Sequence, residues 1–116
     1  MALNTIWHNP RCAKSRTALK LLNDRSIDVK VFYYLNEIIN YEDLMSIAKK
    51  LSIPTIELVR TNEKIFRTLG LSRCSKDEVL IQAMLQNPIL IERPLVISRE
   101  RAIIGRPPER ILELFN

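Results

Sequence analysis

Between Thr5 and Leu35 the spacing of apolar residues changes from strand to helix and back to strand, and no other feature of the chain constrains its fold as strongly. Thr5 to His8 reads as a short strand. Ala13 to Asn23 predicts a helix, because Ala18, Leu19, Leu21 and Leu22 cluster at helical spacing. Asp28 to Leu35 predicts a second strand, with Val29, Val31, Tyr33 and Leu35 alternating against Lys30, Phe32 and Tyr34. A crossover this short and helical joins parallel strands through a right-handed connection. The loop that carries residue 12 then lies at the carboxyl edge of the first strand, where open α/β sheets hold their sites.

Cys12 stands where that loop becomes helix, in the run His8-Asn9-Pro10-Arg11-Cys12-Ala13-Lys14-Ser15-Arg16. A thiol there receives the positive end of the helix dipole, and Arg11, Lys14 and Arg16 each favour thiolate over thiol. Free cysteine is often a small buried filler, but three nearby cations argue for a nucleophile. The backbone N–H groups of Ala13 to Arg16 offer a nest for an anion. Ser15 occupies the position of a second redox cysteine, so no local Cys-x-x-Cys disulfide can close and an outside thiol must resolve any adduct on Cys12. Capping of the helix is a second role for its hydroxyl. His8 has two open readings: a cation that lowers the thiol pKa, or a packed side chain.

A chain of 116 residues suits a single domain, residues 1–116, with a core that needs no staples. Two cysteines far apart and a single histidine supply neither a disulfide framework nor a zinc set, and neither metal nor flavin is implied. Cys74 reads as a bystander. Met1 to Ile6 lacks the apolar core of a signal peptide, and the longest apolar stretch, Pro88 to Ile97, is broken by Glu92 and Arg93. A reducing cytoplasm and no membrane are therefore the expectation. The net charge of +5 favours an anionic partner. Nucleic acid is disfavoured, because the 18 Lys and Arg are spread without a basic run or an aromatic ladder. With no leftover apolar surface pattern, a monomer is expected.

The middle of the chain, about residues 40–87, predicts a helical insertion. Asn40 suits a cap with Glu42 and Asp43 in the first turn, and Leu44, Ile47, Ala48 and Leu51 form one apolar face. Pro54 restarts the chain and Gly70 reads as a helix stop. Ser75-Lys76-Asp77-Glu78 reads as a capping box for a helix that ends at Asn87-Pro88. Leu95 to Ser98 and Ala102 to Ile104 predict an antiparallel hairpin, and Pro107-Pro108 opens a final helix.

The order β-α-β, helices, β-β-α around a Pro-x-Cys loop resembles a thioredoxin-like fold, an α/β fold with a mixed sheet. That resemblance implies a cis-proline before the third strand, which by position is Pro94. More specifically, Asn9-Pro10-x-Cys12-x-x-Ser15-Arg16, the lone Arg60, Asn87-Pro88-Ile89-Leu90-Ile91-x-Arg93-Pro94 and Gly105-Arg106-Pro107 resemble the glutaredoxin-linked arsenate reductase family. The run Ile104 to Glu109 is similar to one branch of it. The resemblance implies that Cys12 attacks the arsenic of arsenate, that glutathione attacks the adduct as co-substrate, and that glutaredoxin then reduces the intermediate to release arsenite. It implies that Arg60, Arg93 and Arg106 hold the oxyanion, and that His8, Ser15 and Arg16 belong to the same site.

The chemistry asks for these residue types in any case, since a thiolate can approach a tetrahedral oxyanion only when its charge is neutralised, and guanidinium groups do this with paired donors. A phosphatase-like arsenate reductase would need an arginine six positions after the cysteine, where this chain has Ala18. Two other functions fit the same residues. One is a glutathione-coupled thiol oxidoreductase with another substrate. The other is a non-catalytic regulator of this fold that binds RNA polymerase, although such regulators typically carry the Cys-x-x-Cys switch that Ser15 removes.

Overall fold

In the computed structural model, which describes residues 4–115, four short strands form one mixed sheet. They are β1 (Thr5–Trp7), β2 (Lys30–Phe32), β3 (Leu95–Ile97) and β4 (Ala102–Ile104), in the order β2-β1-β3-β4. β1 runs parallel to β2, pairing Ile6 with Val31, and antiparallel to β3, pairing Ile6 with Val96. β3 and β4 form the antiparallel hairpin expected from their sequence. This is the mixed sheet of a thioredoxin-like α/β fold.

The crossover from β1 to β2 is α1 (Ala13–Asp24), which turns Ala18 and Leu22 inward. They pack with Ile6, Val96, Ile111 and Leu114 in one apolar cluster. Each fully buried Leu or Ile contributes about 1.5–3 kcal/mol, so this layer anchors the helix that begins at Cys12. The last segment, Pro108–Phe115, is a 3-10 helix and not the α-helix its proline pair suggested. Its buried residues explain the difference: Pro108, Ile111 and Leu114 recur every third position, the period at which 3-10 side chains align.

β2 is shorter than its alternating sequence predicts. At Tyr33 the backbone leaves the ladder, because the Tyr33 carbonyl accepts the Asn36 N–H at 2.9 Å and the Glu37 carboxylate accepts the Tyr33 N–H at 3.0 Å. Tyr34 is then buried against Trp7, with ring centroids 6.0 Å apart, while Tyr33 and Leu35 face solvent. A local turn has overridden the strand pattern.

The chain divides into two compact units, one holding the sheet and the other running from Ile38 to Glu92. The second unit contains α2 (Tyr41–Leu51), α3 (Lys64–Thr68) and α4 (Asp77–Gln86), with single 3-10 turns at Thr55–Leu58 and Pro88–Leu90. The Asn40 side chain caps α2, its oxygen accepting the Glu42 N–H at 2.8 Å. Leu44, Ile47 and Leu51 of α2 and Leu80, Ile81 and Met84 of α4 are buried. The capping box expected at Ser75 does not form. Ser75 Oγ accepts the Ser72 N–H at 2.9 Å instead, and the Glu78 carboxylate accepts the Tyr41 hydroxyl at 2.8 Å, so neither side chain returns to the start of α4. A lone antiparallel bridge pairs Val59 with Ile91, closed by Arg60 N–H to Leu90 O at 2.7 Å and Glu92 N–H to Leu58 O at 2.8 Å. Among the described residues no helix is long and apolar enough to cross a membrane.

Candidate active site

The carboxyl end of β1 leads straight into the cysteine loop. His8 extends the ladder by one residue, donating its N–H to Phe32 O at 2.9 Å. The chain then turns tightly: Cys12 N–H reaches Asn9 O at 2.9 Å, and the Asn9 side-chain oxygen accepts the Arg11 N–H at 3.0 Å. This turn delivers Cys12 to the N-cap of α1 in an extended conformation, with its carbonyl accepting the first helical N–H, from Arg16 at 3.0 Å. An N-cap side chain sits in front of the unpaired N–H groups of the first turn, a position usually filled by Ser, Thr, Asp or Asn. Here a sulfur occupies it.

Opposing effects act on that sulfur. Burial pushes the Cys12 thiol up, but the Ser15 N–H, the Arg93 guanidinium through both a hydrogen bond and its charge, and the Lys14 N–H all favour the thiolate. Together they outweigh burial and leave the thiol below its ordinary value. Cys74, the other free cysteine, lies exposed in the Ile38–Glu92 unit.

Arg93 approaches Cys12 from the far side of the chain in sequence, just ahead of β3. Its Nε is buried and has no hydrogen-bond acceptor among the described residues, although buried donors are almost always paired. The Arg93-Pro94 peptide bond is cis, as the fold resemblance implied, and so is Arg106-Pro107, which nothing in the sequence singled out. Arg106 is tied to the same corner through its neighbour Gly105, whose N–H donates to Pro94 O at 2.8 Å. Gly105 was missed as a site residue. A Cβ there would lie 2.8 Å from Pro94 Cγ and 2.9 Å from Ile111 Cγ2, so glycine allows the β4 exit to press on the proline beside Arg93. A glycine directly after an apolar strand and before Arg-Pro was the available signal.

Ser15 and His8 form a buried pair. His8 Nδ1 shares a hydrogen bond of 2.7 Å with Ser15 Oγ, which also accepts the Asn9 N–H at 3.1 Å. Ser15 thus holds the loop that precedes the helix and makes no N-cap bond. Burial, followed by the charge of Arg16, lowers the His8 pKa from its ordinary 6.5, so the ring is neutral at pH 7. Of the two readings open from sequence, the geometry supports the packed histidine. Arg16 itself is exposed and donates Nη1 to Pro10 O at 2.8 Å, clasping the loop from outside.

Arg60 lies in the Ile38–Glu92 unit, directly after the bridge residue Val59. Its side chain is 21% exposed and faces Glu63 at 3.8 Å and Glu92 at 3.7 Å. The sheet unit thus gathers His8, Cys12, Ser15, Arg16 and Arg93, with Arg106 one residue beyond the Pro94 contact, whereas Arg60 is held by a separate set of neighbours.

A model of the ArsC family matches residues 7–114. The chain belongs to the ArsC family. It is similar to an arsenate reductase of Haemophilus influenzae, 40% identical over 112 residues that cover 95% of this chain and 97% of the relative. It also resembles the uncharacterized protein YfgD of Escherichia coli K-12, 42% identical over 113 residues covering 96% and 95% of the two chains. Among solved structures, it superimposes on an arsenate reductase from Vibrio cholerae with a TM-score of 0.91 and 36% identity, covering 97% and 98% of the chains.

Proposed function

We propose that the protein is an arsenate reductase in which Cys12 is the nucleophile and glutathione and glutaredoxin supply the electrons. The carrying observation is Arg93: its buried Nε lacks an acceptor among the described residues, and its guanidinium favours the Cys12 thiolate. An unpaired buried donor costs about 1–3 kcal/mol, and an oxyanion arriving at the sulfur is an acceptor that removes this penalty. Relatives named as arsenate reductases support the same substrate.

The Cys12 thiolate attacks arsenic(V), an S–As bond forms and one arsenate oxygen leaves as water after protonation. Arg93, Arg106 and Arg60 are the groups that would neutralise the oxyanion for this approach. The thiol of glutathione then adds to arsenic and a second oxygen departs as water. Glutaredoxin thiolate attacks the glutathione sulfur, an S–S bond forms, the bond between that sulfur and arsenic breaks, and its electron pair passes to arsenic, which becomes arsenic(III) while still bound to Cys12. The oxidised product is the mixed disulfide of glutaredoxin with glutathione. Water finally displaces the Cys12 thiolate from arsenic(III) and arsenite leaves. An external thiol is required because Ser15 stands where a resolving cysteine would close a local disulfide.

The test is NADPH consumption by purified protein with glutathione, glutaredoxin and glutathione reductase, with and without arsenate, beside Cys12→Ser. Arsenate-dependent consumption that vanishes in the variant is expected. Absence of that consumption, with Cys12 still titrating as a low-pKa thiol, would point to a thiol oxidoreductase with another substrate.

A further inference from the structure

The charges around the start of α1 carry an inference that deepens the proposed reaction and rests only on its demand for an outside thiol. The sheet unit holds eleven of the 18 Lys and Arg but six of the 13 Asp and Glu, so the whole net charge of +5 resides there and the Ile38–Glu92 unit is neutral. Arg11, Lys14 and Arg16 bring part of that excess to the cysteine loop. All three are exposed, and none forms an ion pair among the described residues. In the same unit Asp24 is held by Lys20, and Glu113 lies against Arg110. Contrary to the sequence expectation, the three side-chain charges do not hold the Cys12 thiol low: Arg93 supplies that cation, and Lys14 contributes its backbone N–H.

Their arrangement suits a broad partner. Lys14 and Arg16 stand about 200° apart around α1 and Arg11 precedes the helix, so the charges spread instead of converging as donors do around a small anion. Tyr33 adds an exposed ring next to them. The turn that takes it out of β2 sets it T-shaped against His8, with centroids 5.9 Å apart, and His8 is bonded to Ser15 in the first turn of α1. Exposed aromatic and arginine side chains around a reactive group are the composition of an interface core.

We propose that Arg11, Lys14 and Arg16 form a docking face for the thiol protein that regenerates Cys12, a partner that presents carboxylates around its own thiol. Opposite charge steers the encounter, and redox partners need only a small contact area.

The step can be isolated without arsenate. Protein carrying Cys74→Ser is converted by glutathione disulfide to the mixed disulfide of Cys12, and glutaredoxin is added. Glutaredoxin thiolate attacks the glutathione sulfur, a new S–S bond forms, the bond to Cys12 breaks, and its electron pair leaves on the Cys12 sulfur. The second-order rate constant is followed by mass spectrometry over a range of ionic strength. Arg11→Glu with Lys14→Glu is expected to lower it about tenfold at low salt, and the difference should shrink as salt rises. The rate of loading by glutathione disulfide and the pH midpoint of iodoacetamide alkylation are measured on the same variant. An unchanged glutaredoxin rate overturns the docking face. An equal loss in loading by glutathione disulfide overturns it too, because the charges then serve a small anion, and so does a raised alkylation midpoint, because they then act on the thiol. Steering without any arsenate reduction keeps the docking face and removes the arsenate reading, whereas arsenate turnover without steering does the reverse.

Discussion

The Nδ1 of His8 and the hydroxyl of Ser15 lie 2.7 Å apart in a buried pair, and the same hydroxyl accepts the N–H of Asn9. One oxygen therefore joins the end of β1, the cysteine loop and the first turn of α1. Ser15→Ala leaves the Asn9 N–H and the His8 ring without their partner and should destabilise the fold by about 1–3 kcal/mol, read from urea unfolding. A loss below a few tenths of that range would mean that water replaces the hydroxyl.

The depressed His8 pKa makes stability depend on pH in a defined direction. The folded ring binds its proton less readily than the unfolded one, so stability is fully present above the ordinary value of 6.5 and declines as pH falls below it through the folded pKa. His8→Gln should flatten that part of the profile. The direct check is the imidazole titration by NMR, expected below 6.5; a midpoint above it would contradict the assignment.

Cys12 alkylation by iodoacetamide should rise with pH along a curve whose midpoint lies below that of an ordinary thiol. Burial opposes this shift, and the Ser15 and Lys14 N–H groups together with Arg93 overcome it. Arg93→Ala removes a hydrogen bond and a charge at once, so its midpoint moves upward. The same variant should lose arsenate-dependent turnover while its thiol still reacts with reagent. Equal turnover in Arg93→Ala would remove the arginine from the oxyanion role.

The two glycines separate steric from conformational cost. Gly105→Ala drives a Cβ to within 2.8 Å of Pro94 and 2.9 Å of Ile111, and should cost about 1–3 kcal/mol through overpacking. Gly70→Ala meets nothing within 4 Å but keeps a φ of +72°, so its cost, about 1–2 kcal/mol, comes from the backbone alone. Only the first change should also lower arsenate turnover, because Gly105 presses on the proline next to Arg93. Thermal unfolding and activity of both variants, measured side by side, check the distinction.

The elements around Cys12 were legible in the sequence because their signals are local. The helix from Ala13, the Asn40 cap and the 95–104 hairpin each depend on spacing and on side chains within a few residues, and all three formed. Where a neighbouring turn competed, local reading failed: Glu37 drew Tyr33 out of β2, Ser72 took the hydroxyl expected to cap α4, and a three-residue rhythm wound the last segment as a 3-10 helix.

By itself the sequence determined the α/β order, the placement of a lone thiol at a strand-to-helix junction, and the absence of a second cysteine three residues on. Those properties are written in neighbouring residues. Tertiary structure decided what acts on the thiol: Arg93 reaches it from the threshold of β3, Gly105 presses on Pro94 from the end of β4, and burial leaves His8 neutral. Charge and desolvation depend on distances between groups remote along the chain, and the packing of β3 against β1 sets the distance between Arg93 and Cys12.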